Sequence, residues 1–154
     1  MRTLVRSQDQ HSILSLAESP IKHYKHHSLV RAYQGDTFFW GLAPQPGDTI
    51  TFNFEPAVAL STYKFVSGNA EHPSDRFLNT TCHILPVDTK KAAAISKLPQ
   101  LKDGFFTVGG FDSFGVAEGI IGPEVGKIKT FRLSIHSTGE NWAILSEINF
   151  KKVT

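Results

Sequence analysis

The stretch Thr49-Ile50-Thr51-Phe52-Asn53-Phe54 alternates polar and apolar residues without a break. A two-residue period places Ile50, Phe52 and Phe54 on one face of a β-strand, whereas a helix would scatter them around its surface. Pro44-Gln45-Pro46-Gly47-Asp48 announces the strand with a strong turn signal. The pattern recurs along the chain. Leu60 to Val66 sets Tyr63 and Phe65 on one face, and Phe77 to Leu85 sets Leu78, Cys82 and Ile84 in phase. Phe105 to Val108 and Val116 to Ile121 are shorter and bounded by glycines. Thr130 to His136 points Phe131, Leu133 and Ile135 inward, and Trp142 to Phe150 aligns Trp142, Ile144, Ile148 and Phe150. Trp142 is expected in the core.

Short strands at near-regular spacing, separated by glycine and proline turns, predict an all-β antiparallel sandwich or jelly roll. A parallel sheet would need crossover helices. Only Lys90 to Lys97, with three alanines, reads as a helix. Residues 1–24 read as an extension, the tail of a preceding domain or a linker. It allows one or two helical turns over Ile13 to Ala17, ended by Ser19-Pro20. Residues 25–154 read as one β domain. At 154 residues the chain is long enough to bury a substantial core.

The net charge of +2 is too small to point to nucleic acid. The His-rich patch from Lys22 to His27 reads as a solvated segment. A lone cysteine, Cys82, excludes an internal disulfide and is expected to be a buried, inert thiol. No apolar run reaches the length of a membrane span, and Met1 to Arg6 lacks the apolar centre of a signal peptide.

The densest group of directional polar side chains is Ser67-Gly68-Asn69-Ala70-Glu71-His72-Pro73-Ser74-Asp75. Gly68 and Pro73 restrict this loop in opposite ways, one admitting left-handed backbone and the other fixing φ. Asn69 donates and accepts, Glu71 and Asp75 accept, and His72 does either. That mixture suits a ligand covered in hydroxyls, since one carboxylate takes two neighbouring O–H groups in charge-assisted bonds. The same residue types also build plain turns, with Asn69 and Asp75 bonding loop backbone, so the residues alone serve both readings. His72 with Glu71 and Asp75 offers nitrogen and oxygen ligands for a metal, but without the spacing of known zinc sites.

Phe38-Phe39-Trp40 precedes a turn, so one ring there can stack on a sugar face while its neighbours enter the core. Phe111 and Phe114 are alternative stacking walls in a glycine-bounded loop that leads to Glu118. Glu118 reads either as a ligand contact or as a solvated strand residue. Asn79-Thr80-Thr81 is an N-glycosylation sequon, a tripeptide common by chance. No phosphate-binding glycine loop, Gly-x-Ser-x-Gly or Asp-x-Asp pair is present. Glu71 and Asp75 share one loop, which places them poorly for flanking a glycosidic bond.

Several of these pieces, in order, resemble the C-terminal lectin domain of the N-acetylglucosaminyltransferase IV family. They are Phe38-Phe39-Trp40, Gly47-Asp48, Ser67-Gly68-Asn69, Glu71-His72-Pro73, Asp75, Asn79-Thr80, Gly115-Val116-Ala117-Glu118-Gly119, Arg132 to Ile135 and Ile144 to Ile148. His11-Ser12 and Leu14 look like the tail of the family's catalytic domain, while Val87 to Lys102 departs from its pattern. The resemblance implies a galactose-binding, discoidin-like sandwich that binds terminal N-acetylglucosamine on N-glycans. It implies no catalytic residue, cofactor or metal in this chain, and a glycosyltransferase catalytic domain as partner in the Golgi lumen. Asp75 is the residue it marks as central, with Asn69, Glu71, His72, Trp40 and Glu118 as further sugar contacts. The competing expectation is a protein-interaction module that regulates a full-length glycosyltransferase without binding sugar.

Overall fold

The computed structural model describes residues 15–95, 100–137 and 142–153. Within them two antiparallel sheets face each other. One carries β1 (Ser15–Glu18), β3 (Thr49–Val58), β8 (Ile128–Ile135), β5 (Thr80–Pro86) and β6 (Phe106–Gly110), in the order β1-β3-β8-β5-β6. The other carries β2 (Phe39–Gly41), β9 (Ala143–Lys152), β4 (Leu60–Ser67) and β7 (Val116–Ile120), in the order β2-β9-β4-β7. The all-β antiparallel sandwich expected from the alternation is the architecture observed.

Phenylalanine fills the space between the sheets. Phe52, Phe65, Phe131 and Phe150 are fully buried and Phe54 nearly so. Phe150 of the four-stranded sheet meets Phe52 at 5.2 Å, Phe54 at 5.3 Å, Phe131 at 5.3 Å and Phe65 at 5.5 Å between ring centroids, mostly edge to face. Each buried ring contributes about 1.5–3 kcal/mol through lost apolar surface, and such aromatic pairs add about 0.5–1.5 kcal/mol.

Both open edges between the sheets are closed by an aromatic side chain. At one edge the helix α1 (Leu29–Tyr33), capped by the Ser28 hydroxyl on Arg31 N, turns Tyr33 towards Phe52. At the other, the Tyr63 hydroxyl crosses to Val108 O at 3.3 Å. That crossing requires Gly119 on β7, where a Cβ would stand 2.8 Å from the Tyr63 oxygen.

Three expectations are corrected. Ser15–Glu18 is not helical but pairs with β3, from Ser15 opposite Phe54 to Glu18 opposite Thr51, and Ala17 joins the core; Ile13 and Leu14 lie outside the described residues. Strand pairing here outweighs a weak helical pattern, and the sandwich begins before residue 25. Leu78 is 45% exposed, and Phe77 takes the buried place. Asn79 adopts a left-handed φ of 48° and breaks the phase before β5 begins. Trp142 is 39% exposed rather than core. The pairing of β4 with β9 shifts register between Val66–Glu147 and Ser67–Leu145. Such a bulge inverts which residues face inward: Ile148 and Phe150 point to the core below it, Ala143 and Leu145 above it. The Ala-rich segment forms α2 (Thr89–Ile95), and the rest of the expected helix lies outside the described residues. Cys82 is buried, and burial pushes its thiol up to about 12, as expected of an inert cysteine.

The outer face of the five-stranded sheet holds one buried imidazole. His83 is bracketed by the Thr81 hydroxyl at 2.8 Å and the Thr107 hydroxyl at 3.2 Å. Burial first, then the charge of Arg132, lowers its pKa to about 4. An unfolded histidine titrates near 6.5, so the unfolded chain binds more protons between these values. Stability from this site is complete above pH ~6.5 and is lost as pH falls towards ~4. Melting temperature is therefore expected to drop over that window, and by less in His83→Gln. Truncating the hub ring, Phe150→Ala, is expected to lower unfolding free energy by about 3–5 kcal/mol in denaturant titration.

Candidate functional site

At one end of the sandwich β4 terminates, β7 and β9 begin, and β2 ends. The loop that leaves β4 is tied down by backbone. Gly68 N donates to Ile144 O and Ile144 N donates to Asp75 O, both at 2.9 Å, so both ends of the loop rest on β9. Gly68 has a φ of 74°, the left-handed geometry its sequence position anticipated. The buried Ser67 hydroxyl donates to Gly115 O at 2.6 Å and accepts from Phe77 N at 2.9 Å, joining this loop to the one that enters β7.

Asp75 faces an aromatic cluster. The Trp40 Nε1–H donates to Asp75 Oδ2 at 3.2 Å. The Trp40 ring lies 4.7 Å from His72, 5.2 Å from Tyr24 and 5.7 Å from Trp142, and Tyr24 lies 5.0 Å from Trp142. These rings sit on the outward face of the sheet. Trp40 pairs with Ile144, which is fully buried yet outside the inner core. Asp75 is half-buried, and its Oδ1 has no partner among the described residues. The site thus offers one oriented carboxylate with a free acceptor, beside indole, phenol and imidazole rings.

The remaining expected residues divide. Asn69 Oδ1 accepts from His72 N at 2.7 Å, so its carbonyl shapes the turn while its amide N–H groups stay open. The His72 ring is exposed over Trp40 and Glu71 is exposed at the loop tip. Glu71, His72 and Asp75 do not converge on a metal-sized cage, and the described residues contain no such group of three. Glu118 is not brought to this cluster. It is exposed opposite Lys64 in the middle of the β4–β7 pair, lining a shallow depression with Thr62, Ile120, Asn149 and Lys151. Of the alternative walls, Phe111 packs inward against Phe65 and Phe77 at 6.3 and 6.0 Å, whereas Phe114 is 76% exposed. Asn79, the sequon asparagine, is exposed.

Three cluster members were not anticipated as site residues. Tyr24 and His27 reach Trp40 because their segment pairs with the free edge of β2: Tyr24 N donates to Trp40 O and Trp40 N to His27 O. His27 stacks on Phe38 at 4.1 Å, and burial, followed by the neighbouring His26, holds its pKa below the ordinary value. Trp142 arrives through the bulge in β9. Its signal in the sequence is the unbroken apolar run Trp142-Ala143-Ile144-Leu145, which a strictly alternating strand would not contain.

A twisted antiparallel sandwich with an aromatic and carboxylate cluster at its loop end defines a class of fold. The solved lectin domain of lectinolysin, complexed with Lewis B antigen, matches it with a TM-score of 0.62 at 8% identity, covering 96% of this chain and 99% of that one. The family 32 carbohydrate-binding module of C. perfringens NanJ, in complex with galactose, matches with a TM-score of 0.58 at 10% identity, covering 92% and 94%. The fold is therefore that of a discoidin-like β-sandwich.

The sequence narrows this further. A family model, the MGAT4 C-terminal domain, matches residues 16–147, and the chain belongs to that family. Alpha-1,3-mannosyl-glycoprotein 4-beta-N-acetylglucosaminyltransferase A of Rattus norvegicus is 45% identical over 136 residues, covering 87% of this chain and 26% of the relative. The B enzyme of Mus musculus is 38% identical over 141 residues, covering 86% and 26%. The chain spans about a quarter of the length of these relatives.

Both tryptophans of the chain belong to this cluster, so tryptophan emission reports on it alone. Trp142 is exposed and Trp40 half-buried. In Trp142→Phe the residual emission is expected to be blue-shifted and less quenched by acrylamide than in the parent.

Proposed function

We propose that the chain is a non-catalytic carbohydrate-binding module that recognises terminal N-acetylglucosamine on N-glycans. The observation that carries this reading is the Trp40–Asp75 pair, which fixes one carboxylate oxygen and leaves the other free beside a mixed wall of rings. Asp75 Oδ1 accepts from two sugar hydroxyls or from a hydroxyl and the acetamido N–H. Charge-assisted bonds of this kind contribute about 1.5–3 kcal/mol each. The exposed Trp142 ring, with Tyr24 and His72, offers the apolar surface against which the C–H face of a pyranose packs. The open Asn69 amide and the His72 ring nitrogens supply further donors. Glu71, exposed at the tip of the same loop, can add one more acceptor. Glu118 lies on another part of the sheet and takes no part in this site.

Family membership supports the setting. In the proposed arrangement the module sits beside a glycosyltransferase catalytic domain in the Golgi lumen and holds that domain near branched N-glycans. A shallow site with one central carboxylate binds a monosaccharide with a Kd around millimolar, about −4 kcal/mol. Attachment to a second binding unit raises the effective affinity without new contacts.

Titration with N-acetylglucosamine, galactose and mannose, followed by tryptophan emission and by NMR shifts, tests the reading. A saturable response is expected with N-acetylglucosamine first. Asp75→Ala is expected to weaken it at least tenfold while the melting temperature stays within a few degrees. A protein with no saturable response to any of the three sugars would not be a lectin of this kind, and the protein-contact alternative would then stand.

A further inference from the structure

Among the described Phe, Tyr and Trp residues, Phe114 is the most exposed, 76% exposed at the tip of the loop between β6 and β7. Exposure alone is ordinary, but this ring is held on a loop closed by its own hydrogen bonds. Asp112 Oδ1 accepts from Phe114 N at 2.9 Å and from Val116 N at 3.0 Å. Gly115 N donates to Asp112 O at 3.0 Å, and Gly115 adopts a φ of 79°. A loop whose backbone is bonded this fully presents its tip with little entropy left to lose on binding.

The loop is also coupled to the proposed sugar site. Neighbouring residues reach to opposite sides: Asp75 to Trp40, and Arg76 through Nη1 to Ser113 O at 3.0 Å. The Arg76 stem packs where a Cβ on Gly115 would stand, and the Ser67 hydroxyl occupies the same place. The two loops are thus joined one residue from Asp75 on one side, at Arg76, and one residue from Phe114 on the other, at Ser113. The neighbours of Phe114 are the free Asp112 Oδ2 and the Ser113 hydroxyl, neither with a partner among the described residues. An aromatic face beside a carboxylate and a hydroxyl repeats the chemistry of the Asp75 site in miniature.

We infer that Phe114, with Asp112 and Ser113, forms a second sugar subsite that receives the next residues of the glycan whose terminal sugar sits at Asp75. The inference rests on the carbohydrate-binding reading. The subsite makes the chain a reader of an oligosaccharide rather than of a single sugar. Pyranose C–H groups stack on the Phe114 ring, while Asp112 Oδ2 and Ser113 Oγ meet hydroxyls at the ring's rim. Phe114 is a specificity residue for glycan length and leaves capture of the terminal sugar to Asp75.

The test compares N-acetylglucosamine with an N-glycan oligosaccharide that ends in it, by titration calorimetry and NMR. The parent is expected to bind the oligosaccharide about tenfold more tightly than the monosaccharide. Phe114→Ala is expected to keep monosaccharide affinity within twofold and to lose the oligosaccharide advantage, and Phe114→Tyr to restore it. In the parent, Phe114 ring resonances should move with the oligosaccharide and stay still with the monosaccharide. If the monosaccharide binds and Phe114→Ala keeps the full advantage, or the parent shows none, the second subsite is wrong and the Asp75 site survives. If neither sugar binds, both readings fall together. An exposed ring that serves a protein partner instead would show no shift with either sugar while Asp75-dependent binding persisted, and that result also overturns the subsite.

Discussion

The Ser67 hydroxyl sits where β4 leaves the sandwich, donating to Gly115 O and accepting from Phe77 N. Ser67 N donates to the same Gly115 carbonyl at 2.9 Å. Three chain segments thus meet at one buried group: the end of β4, the return of the Asp75 loop and the entry to β7. A buried donor or acceptor left without a partner costs about 1–3 kcal/mol, so losing this hydroxyl orphans Phe77 N and weakens the hold on Gly115 together. Glycine at 115 follows from the same crowding, because a Cβ there would meet the hydroxyl and the Arg76 stem. The Asp75 loop and the Phe114 loop are both anchored at this contact. Asp75 is two residues from Phe77, and Phe114 is next to Gly115.

A second constraint decides which face the rings occupy. Phe150 gathers the core rings of both sheets below the β9 bulge, and the bulge turns Ile144 and Trp142 outward above it. Without that shift the alternation would turn Ile144 and Trp142 inward and Leu145 outward. With it, an aromatic layer of Trp40, Trp142 and Tyr24 forms over Ile144 without draining rings from the core. An exposed aromatic patch normally marks a binding surface, and here the strand register puts it beside the loop that carries Glu71 and Asp75.

Period-two alternation made most of the fold legible, and Ile50, Phe52, Phe65, Leu133 and Ile135 are buried where it put them. It was blind to breaks in that period. The left-handed Asn79 exposed Leu78, and the bulge exposed Trp142, because a local pattern carries no trace of a partner strand's register. β1 was missed for a related reason: four residues cannot declare a strand until Phe54 to Thr51 offers the pairing. The candidate site was legible through its loop, where Asp75, Asn69 and His72 lie within a few residues. Tyr24 and His27 were invisible because they arrive by pairing with β2 across a gap in sequence. Glu118 stood out through its glycine-rich surroundings, and in the structure Gly119 makes room for Tyr63 while Gly115 makes room for Ser67 and Arg76.

The Trp40–Asp75 bond is the unusual element, since an indole N–H is a neutral donor and offers a carboxylate only modest stabilisation. An arginine in that place would bind Asp75 through both oxygens and quench it as an acceptor. The indole engages one oxygen and leaves Oδ1 open as an acceptor to whatever approaches it. Half-burial of Asp75 strengthens a carboxylate's pull on a donor relative to open water. An arrangement of this kind asks two things of a ligand: O–H or N–H donors for the open carboxylate oxygen and an apolar face to pack on the rings. A polyhydroxylated ring with one apolar face meets both conditions, the donors at Asp75 and the contact area at the rings.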